Sequence, residues 1–389
     1  MMRRISAQYV FTSAGKPLKR AVVTASDDGT VIAVEDTGGE LTESAGTEFY
    51  NGILIPGLVN CHSHLELSHM RGLIPGGGGL HRFILSVRDR REAGRDEIVT
   101  AAEKADREMY DGGVVACGDI SNNTLSFDIK KKSPVRYLTF TEVFGSDPLL
   151  AEERMSEALK VAGSAREYGL PGNITPHAVY SVSEPLRALI RQQIVPESVI
   201  SLHFLESDDE RRMSGDHVGT ALGLSQISSR LILVHNTVIT QEEAAKLASA
   251  GNTWFCLCPS SNMRISGVMP PVTLLREVTD RIVAGTDSLA SNDRLDMLTE
   301  LRLLQNSAPG TPLHEIIRWG TINGARALGM ADTLGSIEPG KKPGLLLIDQ
   351  ADLVNLADLF AEPFVHSLCC FAVSLLISVK RFARLARFA

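Results

Sequence analysis

LIPGLVNCHSHLE, residues 54–66, sets a short apolar run against a polar ending. The run Leu54–Cys61 is dominated by branched apolar residues and stops at His62-Ser63-His64. Short apolar runs of this kind suit strands buried on both faces of a parallel sheet. Seven more follow: Val114–Ile120, Val135–Val143, Ile174–Tyr180, Val199–Leu205, Leu231–Val234, Trp254–Leu257 and Ile282–Ala284. The segments between them read as helices. Asp147-Pro148 opens one and Gly169 closes it. Thr240-Gln241-Glu242-Glu243 is a capping box whose helix ends at Gly251, and Asn292 or Asp293 can cap a helix running through Leu304. Eight β/α units in roughly 270 residues is the arithmetic of a (β/α)8 TIM barrel. An open doubly wound sheet is the competing α/β arrangement, but it rarely needs eight such units.

Outward from this region the pattern changes. Arg4–Thr12, Ala21–Ala25 and Val31–Glu35 are short β-like segments separated by Gly15, Asp27-Asp28-Gly29 and Gly38-Gly39. LGSIEPGKKPGLLLID, residues 334–349, turns β-like again. The expected organisation is therefore three segments. Residues 1–55 start a small β-sandwich, 56–333 form the barrel, and 334–389 return to complete the sandwich from the other chain end. Beyond Asp349 the composition shifts abruptly. FVHSLCCFAVSLLISV at 364–379, followed by KRFARLARFA, is shorter than the ~20 residues needed to span a bilayer. A membrane-surface segment, a buried final strand or helix, and a departure from the ancestral reading frame are the three readings of that tail.

The chain has 389 residues and a net charge of −7, which argues against a general nucleic-acid binder. Its six cysteines show no paired CxxC spacing, so a disulfide framework is not expected. The opening MMRRISAQYVFTSAGK has no apolar stretch behind its arginines, and the expected location is cytoplasmic.

In a TIM barrel the reacting groups sit at the C-terminal ends of the strands. Five runs carry polar groups there: His62 and His64 on the first, His177 on the fourth, His203 and Glu206 on the fifth, His235 on the sixth and Asp287 on the eighth. A single buried histidine is usually a packed core residue; five of the chain's ten histidines at strand ends are not explained that way. Period-two alternation turns His62 and His64 to the same side and Cys61 to the other. Imidazoles with one carboxylate suit Zn²⁺ or Fe²⁺. His62, His64, His203 and Asp287 would hold one divalent ion. Glu206 would act as proton shuttle, and His235 would stabilise the attacking hydroxide or the developing oxyanion.

HSH on the first run, HFLE on the fifth, His235 on the sixth and GTD on the eighth resemble the amidohydrolase superfamily. PGLVNCHSHLE at 56–66, PHAVYS at 176–181, CPSSN at 258–262, GTDSLASN at 285–292 and TINGARALG at 321–329 are similar to its cytosolic deaminase and chlorohydrolase branch. The resemblance implies a hydrolytic deaminase that replaces an exocyclic amino group on a purine-like ring with a carbonyl and releases ammonia. Glu206 would take a proton from the attacking water and pass it to the ring nitrogen, Asp287 would help protonate the departing ammonia, and His235 would steady the new oxygen. His177 stands where binuclear members carry a bridging lysine, which favours one metal. HSHLELS and GTDSLASND resemble the 6-amino-6-deoxyfutalosine deaminases of the alternative menaquinone route, so the partner would be an aminated heterocycle or adenine nucleoside. Guanine, S-adenosylhomocysteine and chlorotriazines are the alternative substrates within the superfamily, and a metal-binding paralogue without catalysis is the alternative outside it. On this reading His177 contacts substrate. Glu66 reaches sugar or tail hydroxyls, or else supports a ligand histidine. Arg88 meets a substrate carboxylate, or else is an exposed helix charge. Membrane association is not expected, and a homodimer is left open.

Overall fold

The computed structural model describes residues 2–40, 46–213, 215–349 and 378–381. Five strands come first: β1 (Met2–Val10), β2 (Leu18–Lys19), β3 (Val22–Ser26), β4 (Val31–Glu35) and β5 (Thr47–Pro56). Eight follow in alternation with helices: β6 (Leu58–Ser63), β7 (Val114–Ser121), β8 (Arg136–Val143), β9 (Gly172–Pro176), β10 (Val199–Phe204), β11 (Arg230–His235), β12 (Thr253–Leu257) and β13 (Ile282–Ala284). The last two are β14 (Leu345–Asp349) and β15 (Ser378–Arg381).

The first run of the sequence divides in two. Leu54 and Ile55 belong to β5 and pair with β14, whereas Leu58–Ser63 pairs with β7. The break falls at Gly57, where a Cβ would lie 2.3 Å from Val115 Cγ1 and 2.7 Å from the Pro343 carbonyl oxygen. Only a residue without a side chain lets the chain pass from one sheet to the next there. The fourth run also shortens: β9 ends at Pro176, and Val179–Ser181 is a 3₁₀ turn. Asp296, rather than Asn292 or Asp293, caps helix Met297–Ser307 by accepting from the amides of Leu298 and Thr299. Asn292 instead bonds the Thr286 carbonyl and Glu300, and Asp293 pairs with Arg264. The capping box at Thr240 and the cap at Asp147 are as expected.

Strands β6–β7–β8–β9 and β10–β11–β12–β13 form two four-stranded parallel sheets. Isolated parallel bridges join them at both margins, Ala178 to His203 and Ser63 to Asp287. Side chains alternate between two buried layers: on β11, Leu231 and Leu233 pack in one apolar cluster, Ile232 and Val234 in another. Every strand in these sheets thus lacks a solvent face, which is why the runs read as continuously apolar.

The chain ends meet in a separate mixed sheet, ordered β15–β14–β5–β1–β3–β4 with β2 against β1. Its packed face gathers Ile5, Val10, Val23, Val31, Leu54 and Leu347 around Ile337. Among the described residues this is one sheet, not the two facing sheets of a sandwich. Of the apolar tail, residues 364–377 lie outside the described residues, whereas Ser378–Arg381 pairs antiparallel with β14. Among the described residues no helix is long and apolar enough to cross a membrane.

One ion pair lies wholly inside. Lys130, on helix Phe127–Lys132, places Nζ 2.6 Å from Asp119 Oδ2, both side chains being 0% exposed. Nζ also donates to Ser121 Oγ at 2.8 Å, and Asp119 Oδ1 accepts the Leu65 amide at 2.8 Å. The pair therefore holds the backbone immediately after His64. Removing one partner of such a pair strands a buried charge at a cost of ~3–5 kcal/mol. Lys130→Met should lower the urea midpoint by that order, and Lys130→Met with Asp119→Asn should recover part of it, because the amide still accepts from Leu65. A single variant as stable as the double would contradict the assignment.

Candidate metal centre

The strand ends converge. His62 and His64 leave β6 on the same side, with Nε2 atoms 3.1 Å apart. Asp287, just past β13, puts Oδ1 3.5 Å from His62 Nε2 and 3.3 Å from His64 Nε2. The His203 ring lies 4.8 Å from that of His62 and 5.4 Å from that of His64, centre to centre. One donor atom from each of His62, His64, His203 and Asp287 falls within 4.8 Å of the others, and all four residues are buried. The four residues expected as ligands thus share one point in space.

Backbone geometry makes this convergence. Asp287 has φ = +56° and His235 φ = +79°, with Leu205 at +48° and Asn236 at +56°. Non-glycine residues in this region carry a strain of order ~1–3 kcal/mol each, and the ends of three strands, β10, β11 and β13, accept it. At Asp287 the strain is held by hydrogen bonds. The amides of Thr286 and Asp287 both donate to the His62 carbonyl, at 3.1 and 3.0 Å. Ser261 and Ser291 hydroxyls donate to Asp287 Oδ2 at 2.6 and 2.7 Å, leaving Oδ1 for the imidazoles.

The donor set fits a divalent cation. His203 Nδ1 lies 3.1 Å from the His177 carbonyl oxygen, so it donates there and Nε2 keeps its lone pair. Burial, followed by the neighbouring His62, holds His64 well below the usual imidazole range; burial and His177 do the same to His203. Neutral imidazoles are what a metal requires. For Asp287 burial works against ionisation, but His62 and His64 outweigh it and hold the carboxyl well below the usual range. Three imidazole nitrogens and one carboxylate oxygen make a Zn²⁺- or Fe²⁺-type set.

Beyond the four-residue cluster, Glu206 Oε2 stands 3.8 Å from His235 Nε2, and His235 Nδ1 lies 3.4 Å from Asn262 Oδ1. Burial pushes Glu206 up to about 7, with Asp287 and Glu210 adding to the rise and His235 opposing it. His177 stacks on His203 at 4.6 Å, Nδ1 sits 2.8 Å from Ser181 Oγ, and burial brings its imidazole down to about 4. A cavity of about 260 Å³ opens over this group. Leu80, Phe83 and Val87 of helix Gly79–Arg90 form one wall, and Arg88 stands at its edge with Arg91. Arg88 is 71% exposed and bonds its neighbour Asp89, so it meets the cavity from the solvent side. Glu66 does not line the cavity. Its carboxylate is 0% exposed, Oε2 accepting the amides of Asn122 and Asn123 at 2.9 and 3.2 Å.

Sequence reading did not single out Glu142, Asn122 or Tyr180, all on the cavity wall. Glu142 Oε2 accepts from Asn122 at 3.1 Å, and burial pushes it up to about 7. Its signal was available: an acid at the penultimate position of the apolar run Val135–Val143. Ser261 and Asn262 of CPSSN both touch site side chains, Ser261 that of Asp287 and Asn262 that of His235.

The Amidohydrolase family model matches residues 53–378, and the chain belongs to that family. It is 29% identical over 326 residues to the 5-methylthioadenosine/S-adenosylhomocysteine deaminase of Teredinibacter turnerae, covering 77% of this chain and 72% of that protein. It is 27% identical over 325 residues to an adenosine deaminase of Helicobacter pylori, covering 76% and 79%. Among solved structures, an adenosine deaminase from Xanthomonas campestris with bound zinc superposes with a TM-score of 0.72 at 25% identity, over 92% of this chain and 89% of that one. Helicobacter pylori aminofutalosine deaminase in complex with methylthio-coformycin shares the fold, with a TM-score of 0.76 at 22% identity over 92% and 96%.

After dialysis against a chelator, the protein should take up one equivalent of Zn²⁺ per chain. At about a thousandfold excess of free metal over its Kd, binding should stabilise the fold by ~4 kcal/mol. His203→Ala and Asp287→Ala should abolish tight uptake, whereas His177→Asn should keep it. Elemental analysis and thermal melts with and without zinc read both effects.

Proposed function

We propose that the protein is a hydrolytic deaminase of an adenine nucleoside, with His62, His64, His203 and Asp287 holding one divalent ion. The observation that carries the reading is Glu206, a buried carboxylate raised to about 7, beside His235 and over the four-residue cluster. The named activities of the two deaminase relatives support the same class of substrate. The bridges at both margins of the parallel sheets support closure into an eight-stranded barrel with this site at its mouth.

A divalent cation bound at the four residues supplies acidity, making water a nucleophile near neutral pH. The remaining work falls to the side chains. Glu206 accepts a proton as water attacks the ring carbon that bears the amino group, and returns it to the adjacent ring nitrogen. Its pKa near 7 lets it run in both directions. His235 stabilises the new oxygen, and Asp287 takes the remaining proton from that oxygen and passes it to the departing amino group. The carbon–nitrogen bond breaks, ammonia departs, and the carbon keeps the oxygen as a carbonyl. His177 packs against the base, while the apolar wall of helix Gly79–Arg90 excludes water. Arg88 and Arg91 at the edge favour a nucleoside with an anionic substituent, 6-amino-6-deoxyfutalosine among them.

The zinc-loaded enzyme should release ammonia from at least one of adenosine, 5′-methylthioadenosine, S-adenosylhomocysteine and 6-amino-6-deoxyfutalosine. Glu206→Gln should keep the metal and lose ~10²–10⁴-fold in kcat. Since Glu206 must start ionised, kcat/KM should fall as pH drops through its limb. That limb should lie no higher than about 7, because a nearby cation pulls a carboxylate down. No ammonia from any adenine compound, with zinc bound, would remove the proposal.

A further inference from the structure

A second carboxylate stands behind Glu206. The chain leaves β10 through Leu205, whose φ of +48° turns it sharply, so the direction of the next residue has to be held. The Glu206 amide donates to Glu210 Oε2 at 2.7 Å. Glu210 lies in the one-turn helix Asp208–Arg212, and Ser207 caps that turn, its Oγ accepting the Glu210 amide at 3.4 Å. Ser207-Asp208-Asp209-Glu210 is spelled like a capping box, in which the glutamate would reach back to the amide of Ser207 itself. Here it reaches one residue further, to Glu206.

Its burial also separates it from an ordinary cap. The Glu210 side chain is 0% exposed, and Oε1 faces His217 Nδ1 at 3.6 Å, outside hydrogen-bond distance. Glu210 Oε1 and both His217 ring nitrogens are buried without a hydrogen-bond partner. A surface cap would have water on that oxygen. A carboxylate enclosed at this cost is poorly explained by one turn of helix.

We infer that Glu210 is a positioning residue that grips the Glu206 amide and fixes where the Glu206 carboxylate enters the cavity. The inference rests on Glu206 as the proton carrier proposed above. A carrier displaced by about 1 Å can lose ~100-fold in rate without losing substrate affinity.

The test compares Glu206→Gln, Glu210→Ala, Glu210→Gln and Ser207→Ala in the zinc-loaded full chain, with whichever adenine nucleoside the wild type deaminates best. Kinetics, zinc content and melting temperature are measured together. Glu210→Ala should lower kcat by ~100-fold with KM and zinc content unchanged. Glu210→Gln, whose side-chain oxygen can still accept from the Glu206 amide, should restore kcat to near wild type. Ser207→Ala removes the cap but not that bond, and should lower melting temperature while leaving kcat intact. If the Ala variant does not accumulate, Glu210→Met, similar in length but without an acceptor, replaces it against Glu210→Gln. Parallel loss of kcat and melting temperature in Ser207→Ala and Glu210→Ala, or no rescue by Gln, overturns the inference and leaves Glu210 a cap. Full turnover by Glu206→Gln defeats the reading of Glu206 itself, and the inference falls with it.

Discussion

The joint between β6 and β13 governs the rest. The His62 carbonyl receives two amides, those of Thr286 and Asp287, from a strand more than two hundred residues away in sequence. Beside it, Asn60 donates to Thr286 Oγ1 at 2.8 Å and accepts the Thr286 amide at 3.2 Å. These bonds bring the carboxylate of Asp287 against His62 and His64. Gly285 makes the approach feasible: a Cβ there would lie 2.9 Å from His62 Cβ and 3.0 Å from Cys256 Sγ. Separate the two strands and the imidazole pair loses its anion, although Ser261 and Ser291, which lie on the β12–β13 side, would still hold Asp287 Oδ2.

Burial then sorts the titratable groups by sign. The same loss of water that keeps His64, His177 and His203 neutral drives protons onto Glu66, Glu142 and Glu206, each raised to about 7. Both trends disfavour charge, and both are useful. Neutral imidazoles offer lone pairs to a cation. A carboxyl near 7 can give and take a proton at the same pH. Asp287 alone runs against the trend, because the imidazoles stand close enough to outweigh burial. One environment therefore holds Asp287 ionised and leaves Glu206 close to its protonation midpoint, the two states that the proposed function requires.

Much of this was legible in the sequence because it obeys simple periods. Val199–Phe204 and Ile282–Ala284 are strands because apolar residues bounded by turn signals have few other uses, and the polar groups at their ends, His203 in the first and Asp287 past the second, break that pattern visibly. The paired chain ends could also be read from their β-like composition. What escaped reading were partners defined only by closure. Leu54–Cys61 looks continuous because both of its halves are buried, in different sheets. Glu66 has the spacing of a site residue, but the loop after β7 arrives to occupy its carboxylate. Arg88 faces solvent as much as cavity. Ser261, Ser291 and Glu210 carry no signature, since the serines sit in ordinary polar turn sequence, CPSSN and SLASN, and a glutamate three residues after a serine is an ordinary capping letter. Their significance comes from what lies beside them in space.

The four-residue cluster and the cavity wall come from different parts of the chain. The four-residue cluster belongs to β6, β10 and the segment after β13, which are tied by backbone bonds and tolerate little change. One wall comes from helix Gly79–Arg90, which has a single buried residue, Leu80. Its approach is pinned at one place, where the Gly77 amide donates to the Arg264 carbonyl at 2.8 Å and the Arg264 guanidinium donates to the Ile74 carbonyl at 2.9 Å. Changes at Phe83, Val87 or Arg88 can therefore reshape the cavity without moving His62 or Asp287. A site built this way can keep its hydrolytic chemistry while the groups flanking the reacting ring vary. That explains physically why the cluster was far easier to read from sequence than the substrate.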